Sequence, residues 1–310
     1  MKDIQEIRGV IPAMMTCFDE NGAFDEARQR GLTEFLVNKG VDALYLTGST
    51  GEAFLMDASE RCAVVEAVID QVNGRIPLIV HVGDIGTQKS IRLAEHACKA
   101  GADAISSVPP FYFRFSEDEI FSYYEALSNA TPLPMIIYNI ALAGAVSTDC
   151  VKRLAALPNV KGMKYTLPTH HEIMRLKREL GSSFMIYSGC DEMAMSGFAF
   201  GSDGIIGSFY NVIPEIFLQL AQAVKANDLA RTAECQRVAD AIILFVLEFP
   251  YFSAMKKMLQ WMGHDFGYVR APFARLDSNQ EQRLLDGLKA IRAQYGTHGL
   301  EALEALPEKI

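Results

Sequence analysis

Eight short apolar runs, spread almost evenly over the first two-thirds of the chain, constrain the fold more than any other feature. They cover residues 10–16, 43–48, 76–82, 104–110, 134–139, 160–166, 184–189 and 204–211. Each is of strand length, and most are continuously apolar rather than alternating. That pattern belongs to parallel strands covered on both faces. Successive runs start 20 to 33 residues apart, room for one strand and one helix. Amphipathic segments at 26–38, 59–72 and 87–99 fill the first gaps. Each is followed closely by a glycine (Gly40, Gly74, Gly101), which is a helix stop.

Eight strand-then-helix units in a row predict a (β/α)8 barrel. The rival is a doubly wound open sheet, which lacks support because no dinucleotide fingerprint is present. The segment Gly201-Ser202-Asp203-Gly204-Ile205-Ile206-Gly207 has the wrong glycine spacing and follows a helix rather than a strand. After the eighth strand the pattern turns helical, at 215–226, 229–248, 253–262 and 278–295. The first of these serves as the eighth barrel helix. Residues 1–226 are therefore expected to form the barrel with the catalytic site. Residues 227–310 are expected to form a helical extension packed on it, with no Pro/Gly/Ser-rich linker between.

A chain of 310 residues, 50% hydrophobic and 22% charged, has ample material for one large core. The net charge of −9 and the lack of a basic run argue against a nucleic-acid partner. An anionic substrate must then be gripped by local N–H groups, since the global field repels it. The six cysteines are scattered with no CxxC pair, so neither a zinc site nor a disulfide framework is expected. Residues 1–6 carry no apolar leader core, and the apolar helical stretch 241–247 is too short to span a membrane. The expectation is a reduced, cytoplasmic protein without a membrane partner.

In a barrel of this type the chemistry sits at the C-terminal strand ends. The second run leads into Gly48-Ser49-Thr50-Gly51-Glu52, a turn able to offer N–H groups and two hydroxyls to a carboxylate. Its plainer reading is a tight turn with Ser49 and Thr50 capping the next helix. The fifth run ends at Tyr138, either a buried tyrosine with a satisfied hydroxyl or a proton carrier. The sixth ends at Lys164. Desolvation penalises an ammonium ion, so a lysine at the top of an apolar strand can present a nucleophilic amine. The alternative is a solvated or ion-paired lysine at a loop start. The seventh leads into Ser188-Gly189-Cys190-Asp191-Glu192, where one carboxylate can cap a helix and the other can accept hydrogen bonds from substrate hydroxyls. Ser208 follows the eighth and can donate into the same mouth. His170-His171-Glu172 lacks a matching ligand cluster, and His81 fits a buried, hydrogen-bonded histidine.

Together these motifs resemble the N-acetylneuraminate lyase / dihydrodipicolinate synthase family of class I pyruvate aldolases. The resemblance runs from about Gly9 to Arg275. It is carried by Gly48-Ser49-Thr50-Gly51-Glu52, Pro110-Phe111-Tyr112, Tyr138-Asn139-Ile140, Gly162-Met163-Lys164 and Gly204-Ile205-Ile206-Gly207-Ser208, in that order. It implies that Lys164 forms an imine with a 2-oxo acid, that Tyr138 shuttles protons, and that Ser49 and Thr50 hold the pyruvyl carboxylate. It implies that Tyr112 serves a neighbouring subunit's site in a homotetramer, a dimer of dimers. No metal or organic cofactor is implied, because the imine is the electron sink.

Serine in the turn, the Gly51-Glu52-Ala53-Phe54 run, and Asp191-Glu192 after Gly189 resemble the lyase branch. There Thr166, Gly189, Asp191, Glu192 and Ser208 match positions that contact the sugar. The synthase branch usually carries an arginine shortly after Tyr-Asn, and the segment 140–146 has none. Three departures stand out: Ala141 where proline is usual, a slightly short interval from Tyr138 to Lys164, and Tyr165-Thr166-Leu167-Pro168 after the lysine. The implied activity is cleavage of N-acetylneuraminate. The rivals are the same chemistry on another 2-keto-3-deoxy sugar acid, dihydrodipicolinate synthesis, and a catalytically silent metabolite-binding barrel.

Overall fold

A computed structural model describes residues 2–310. Eight parallel strands form the expected barrel: β1 (Gly9–Pro12), β2 (Leu44–Leu46), β3 (Leu78–His81), β4 (Ala104–Ser107), β5 (Met135–Ile140), β6 (Val160–Thr166), β7 (Met185–Ser188) and β8 (Gly204–Gly207). Pairing runs in chain order from β2 to β8, and β8 pairs with β1. The ring closes where Ala13 bridges Tyr45, with the Met14 N–H donating to the Tyr45 carbonyl at 2.9 Å. Strand residues are buried almost without exception, as continuous apolar runs require; Lys161 is the exposed one.

The helices α1 (Glu26–Asn38), α2 (Ala58–Val72), α3 (Thr87–Ala100), α4 (Glu117–Asn129), α5 (Thr148–Ala155), α6 (His171–Leu180), α7 (Ala194–Ala199) and α8 (Pro214–Lys225) alternate with the strands. Local chemistry sets their ends. Asp57 with Glu60, and Ser116 with Glu119, form capping boxes at the starts of α2 and α4. Gly101, at φ 104°, closes α3 in a conformation that a side chain would strain. Helix α5, eight residues long, accounts for the short interval between Tyr138 and Lys164.

Several strands are shorter than the apolar runs that announce them. The runs at 10–16 and 204–211 leave the ladder at Pro12 and Gly207. Apart from half-buried Ser208, the residues beyond are also buried, but they leave the ladder instead of extending it. Asn211, in a short 3-10 turn after β8, accepts the Met15 N–H at 3.1 Å and donates to the Ala13 carbonyl at 2.8 Å. Apolar character reports burial on both sides of that boundary and so does not mark it.

The C-terminal helices are α9 (Leu229–Val246), α10 (Tyr251–Trp261), α11 (Ser278–Tyr295) and α12 (Glu301–Glu304). The last escapes the sequence pattern. Helix α10 starts at Tyr251 rather than 253, directly after Pro250. Among the described residues no single helix is long and apolar enough to cross a membrane. These helices are bolted to the β2 turn. Lys256 of α10 is buried and donates to the carbonyls of Thr16, at 2.7 Å, and Tyr268. Its Nζ lies 3.6 Å from Glu52 Oε1, an ionic contact too long to be a hydrogen bond. Glu52 Oε2 accepts the Arg270 N–H at 2.8 Å, and the Arg270 guanidinium donates to Glu60 at 2.7 Å.

Burial pushes the Glu52 carboxyl up and the Lys256 ammonium down, against their mutual attraction. Removing one member leaves a buried charge uncompensated. Lys256→Met is expected to cost about 3–5 kcal/mol in urea unfolding at neutral pH. The orphaned Glu52 would bind a proton more readily folded than unfolded. The deficit should therefore shrink as the pH is lowered toward the ordinary carboxylate range. A loss that does not change with pH would rule out this account of the pair.

Candidate active site

Strands β5 and β6 run side by side with Tyr138 opposite Lys164 in the register. In parallel strands, residues so paired point to the same face. Both are buried, and the Lys164 amine lies 4.3 Å from the centre of the Tyr138 ring and 4.9 Å from that of Tyr45 on β2. Among the described residues it makes no ion pair within 4.0 Å. The solvated or ion-paired alternative for Lys164 therefore fails. Tyr45 and Tyr138 meet edge to face at 6.0 Å, and Tyr138 meets the His81 ring in the same way at 6.0 Å.

His81 is a structural histidine. Its Nδ1 donates to the Thr47 carbonyl at 3.0 Å, and its Nε2 accepts the Val108 N–H at 3.3 Å. Burial first, then the Arg61 charge, push it well below its ordinary value, so it stays neutral. With both nitrogens engaged it has none left for proton transfer. It steadies the β2 turn instead, because the Thr47 hydroxyl donates back to the His81 carbonyl at 2.9 Å. Thr47 and Glu52 bracket that turn at φ 50° and 56°, a strained conformation for residues with side chains. His81 holds one end, and the Lys256 and Arg270 contacts hold the other.

Between those ends, Ser49 and Thr50 cap no helix. The cap of α2 is Asp57, and the 3-10 turn at Ala53–Leu55 has no side-chain cap. Thr50 is buried and shares a 2.7 Å hydrogen bond with Ser208 across the mouth. Ser49 lines a cavity of about 400 Å³ with Phe54, Val108, Phe111, Ile140 and Leu142, and no lysine or arginine lines it.

On the far side Gly189 packs directly on Lys164. A methyl group there would overlap the Thr166 hydroxyl and stand 3.0 Å from Lys164 Cε. Thr166 Oγ1 is buried and has no hydrogen-bond partner among the described residues. Asp191 turns inward: its Oδ2 accepts the Phe209 N–H at 2.8 Å, and its carboxylate fills the space a side chain at Gly207 would need. It thus anchors the turn after β8 rather than capping the helix that follows it. Glu192 beside it is exposed.

The structure thus gathers Lys164, Tyr138, Thr166 and Gly189 in one group. Thr50, Ser208 and Asp191 form a second, adjoining one. Tyr112 stands apart, 84% exposed at φ 79°, its ring against Phe113. Two residues of the mouth escaped the sequence reading. Tyr45 was hidden in an apolar run. Tyr251, the first residue of α10, lines the cavity and has Tyr138 and Asp191 as electrostatic neighbours; burial pushes its phenol up to about 12. Pro250 just before it was the available signal, since proline marks helix starts. Among the described residues no group of three or more His, Cys, Asp or Glu side chains could hold a metal ion.

A buried lysine amine at the mouth of an eight-stranded barrel, beside a turn rich in N–H and O–H donors, is the equipment of a carbon–carbon lyase. The model of the dihydrodipicolinate synthetase family matches residues 6–291, and the chain belongs to that family. It is 37% identical to the N-acetylneuraminate lyase of Escherichia coli K12 / DH10B over 292 residues, 93% of this chain and 97% of that one. The wild-type sialic acid aldolase of Ruminococcus gnavus superposes with a TM-score of 0.89 at 31% identity, covering 97% of this chain and 100% of that one. For the N-acetylneuraminate lyase of Mycoplasma synoviae the values are 0.86 and 30%, with 94% and 99% covered.

Burial pushes the Asp191 carboxyl up to about 7, against the Phe209 and Ser208 N–H groups that favour its ionised form. A carboxyl with a raised folded value binds more protons native than unfolded. Its contribution to stability is complete below about pH 4 and is lost as the pH rises through about 7. Asp191→Asn should therefore flatten the dependence of the melting temperature on pH between 5 and 8. An unaltered slope would mean that Asp191 is not the group titrating there.

Proposed function

We propose that this protein reversibly cleaves N-acetylneuraminate to N-acetylmannosamine and pyruvate through an imine on Lys164. The observation that carries the proposal is the buried Lys164 amine, set against Tyr138 and, among the described residues, with no ion pair within 4.0 Å. The identity to N-acetylneuraminate lyases over nearly the whole chain supports the choice of substrate.

In this reading Ser49, Thr50 and the backbone of their turn receive the substrate carboxylate, which brings the C2 carbonyl over Lys164. The free amine adds to C2, and water leaves to give a cationic imine. The C4 hydroxyl loses its proton by way of Tyr138, the C3–C4 bond breaks, and its electron pair moves into the imine as an enamine. The enamine takes a proton at C3, and water releases pyruvate and restores the amine. Thr166, Gly189, Asp191, Glu192 and Ser208 surround the sugar. Thr166 brings an unpartnered hydroxyl, and Glu192 an exposed carboxylate. The chemistry needs no resident metal or organic cofactor.

The cavity beside Ser49 favours this substrate over a dicarboxylate. Leu142 and Ile140 line it, and none of its lining residues is a cation able to pair with a second carboxylate. We further propose that the working form is a cytoplasmic homotetramer in which Tyr112 reaches a neighbouring subunit's site. Its exposure and strained backbone support an external partner. Residues 227–310 then act as an extension of the 1–226 barrel that also furnishes Tyr251 to the mouth.

Incubation with pyruvate and borohydride should add a stable mass at Lys164, and Lys164→Ala should abolish both the adduct and turnover. Tyr138→Phe should lower kcat about 100-fold or more while leaving the fold intact. No adduct at Lys164 would sink the imine mechanism. Faster cleavage of another 2-keto-3-deoxy sugar acid than of N-acetylneuraminate would sink the substrate assignment alone.

A further inference from the structure

The mechanism above leaves one buried group of the mouth unused. Tyr45 sits on the barrel floor with its ring facing the Lys164 amine at 4.9 Å. Its hydroxyl is already spent on buried Ser106 of β4, at 3.0 Å. The ring is locked from several sides. A methyl group at Gly48 would stand 2.7 Å from its edge, Tyr138 meets it edge to face, and its backbone forms the bridge that closes the barrel. This ring cannot turn aside, and its hydroxyl is not aimed at chemistry.

We propose that the face of Tyr45 holds the positive charge of Lys164 and of the imine that forms on it, in place of the carboxylate that a buried cation ordinarily recruits. An aromatic face attracts a cation through its quadrupole, and the attraction is largest where water is excluded. A carboxylate in the same place would repel the substrate's own carboxylate and compete for the amine. A ring supplies the attraction with no net charge. Two acids around the mouth are turned elsewhere: Asp191, which feels the Lys164 charge, to the Phe209 N–H, and Glu52 to Arg270 and Lys256. Tyr45 is thus a positioning residue that acts through Lys164. The inference rests on Lys164 being the imine-forming residue.

The test keeps the ring and changes only its electrons. Tyr45→Phe, and replacement of Tyr45 by phenylalanines of increasing fluorine content up to pentafluorophenylalanine, preserve the shape while draining the negative face. The pyruvate concentration that gives half-maximal borohydride trapping at Lys164 is measured for each, together with its melting temperature. Tyr45→Phe should behave like the unsubstituted protein. The half-saturation should then climb with fluorine content, reaching about tenfold for the fully fluorinated ring. A flat series would overturn the role of the ring. So would a Tyr45→Phe variant as impaired as the fluorinated ones, which would assign the effect to the hydroxyl. A rise that follows the melting temperature instead of the fluorine content would reduce Tyr45 to packing. Absence of any adduct in the unsubstituted protein is a different failure, and strikes the imine itself.

Discussion

A cation has to be held inside an apolar barrel, and the arrangement of the mouth follows from how that is done. Burying an ammonium is costly, and the usual remedy is a carboxylate at contact distance. Here the remedy is two tyrosine rings, 4.3 and 4.9 Å from the amine. Asp191 and Glu52 are committed to other partners, which would leave the amine available to a carbonyl in the proposed reaction. In the reaction proposed above, the substrate's carboxylate would meet hydroxyls and N–H groups instead of a competing anion.

The turn proposed to receive the substrate carboxylate is strained, and the strain is held from outside. Thr47 and Glu52 adopt left-handed backbone conformations at its two ends. The first is tied to His81 on β3, the second to Lys256 and Arg270 from the C-terminal part of the chain. The C-terminal helices are therefore tied into that turn. They clamp the turn from below, and through Tyr251 they add a wall to the cavity beside it.

Much of this was legible in the chain. The eight strands, their order and the parallel barrel follow from continuous apolar runs at regular spacing, and the bounds of β6, α1 and α11 match the pattern to the residue. The pairing of Tyr138 with Lys164, and of Thr50 with Ser208, follows from one rule, that strand ends of a barrel share a mouth. Other features were not legible. The runs at 10–16 and 204–211 stay apolar past the end of the ladder, because burial continues beyond it. Of the two readings of Thr50, the helix cap fell away only when its partner proved to be Ser208, 158 residues away. Asp191 could be read as a cap for the next helix, and its Oδ2 instead binds the turn after β8.

The sequence by itself determined the periodicity of strands and helices, and with it the barrel and the end at which its chemistry must lie. Those are consequences of local order, since each unit buries its apolar face against its neighbours along the chain. Only the tertiary structure decided what surrounds the lysine amine. Tyr45 in an apolar run is indistinguishable from any core aromatic, and Lys256 and Tyr251 lie far from the strands they serve. Their roles arise from closure of the ring and the return of the C-terminal helices onto it. No residue's immediate neighbours in the chain record those long-range contacts.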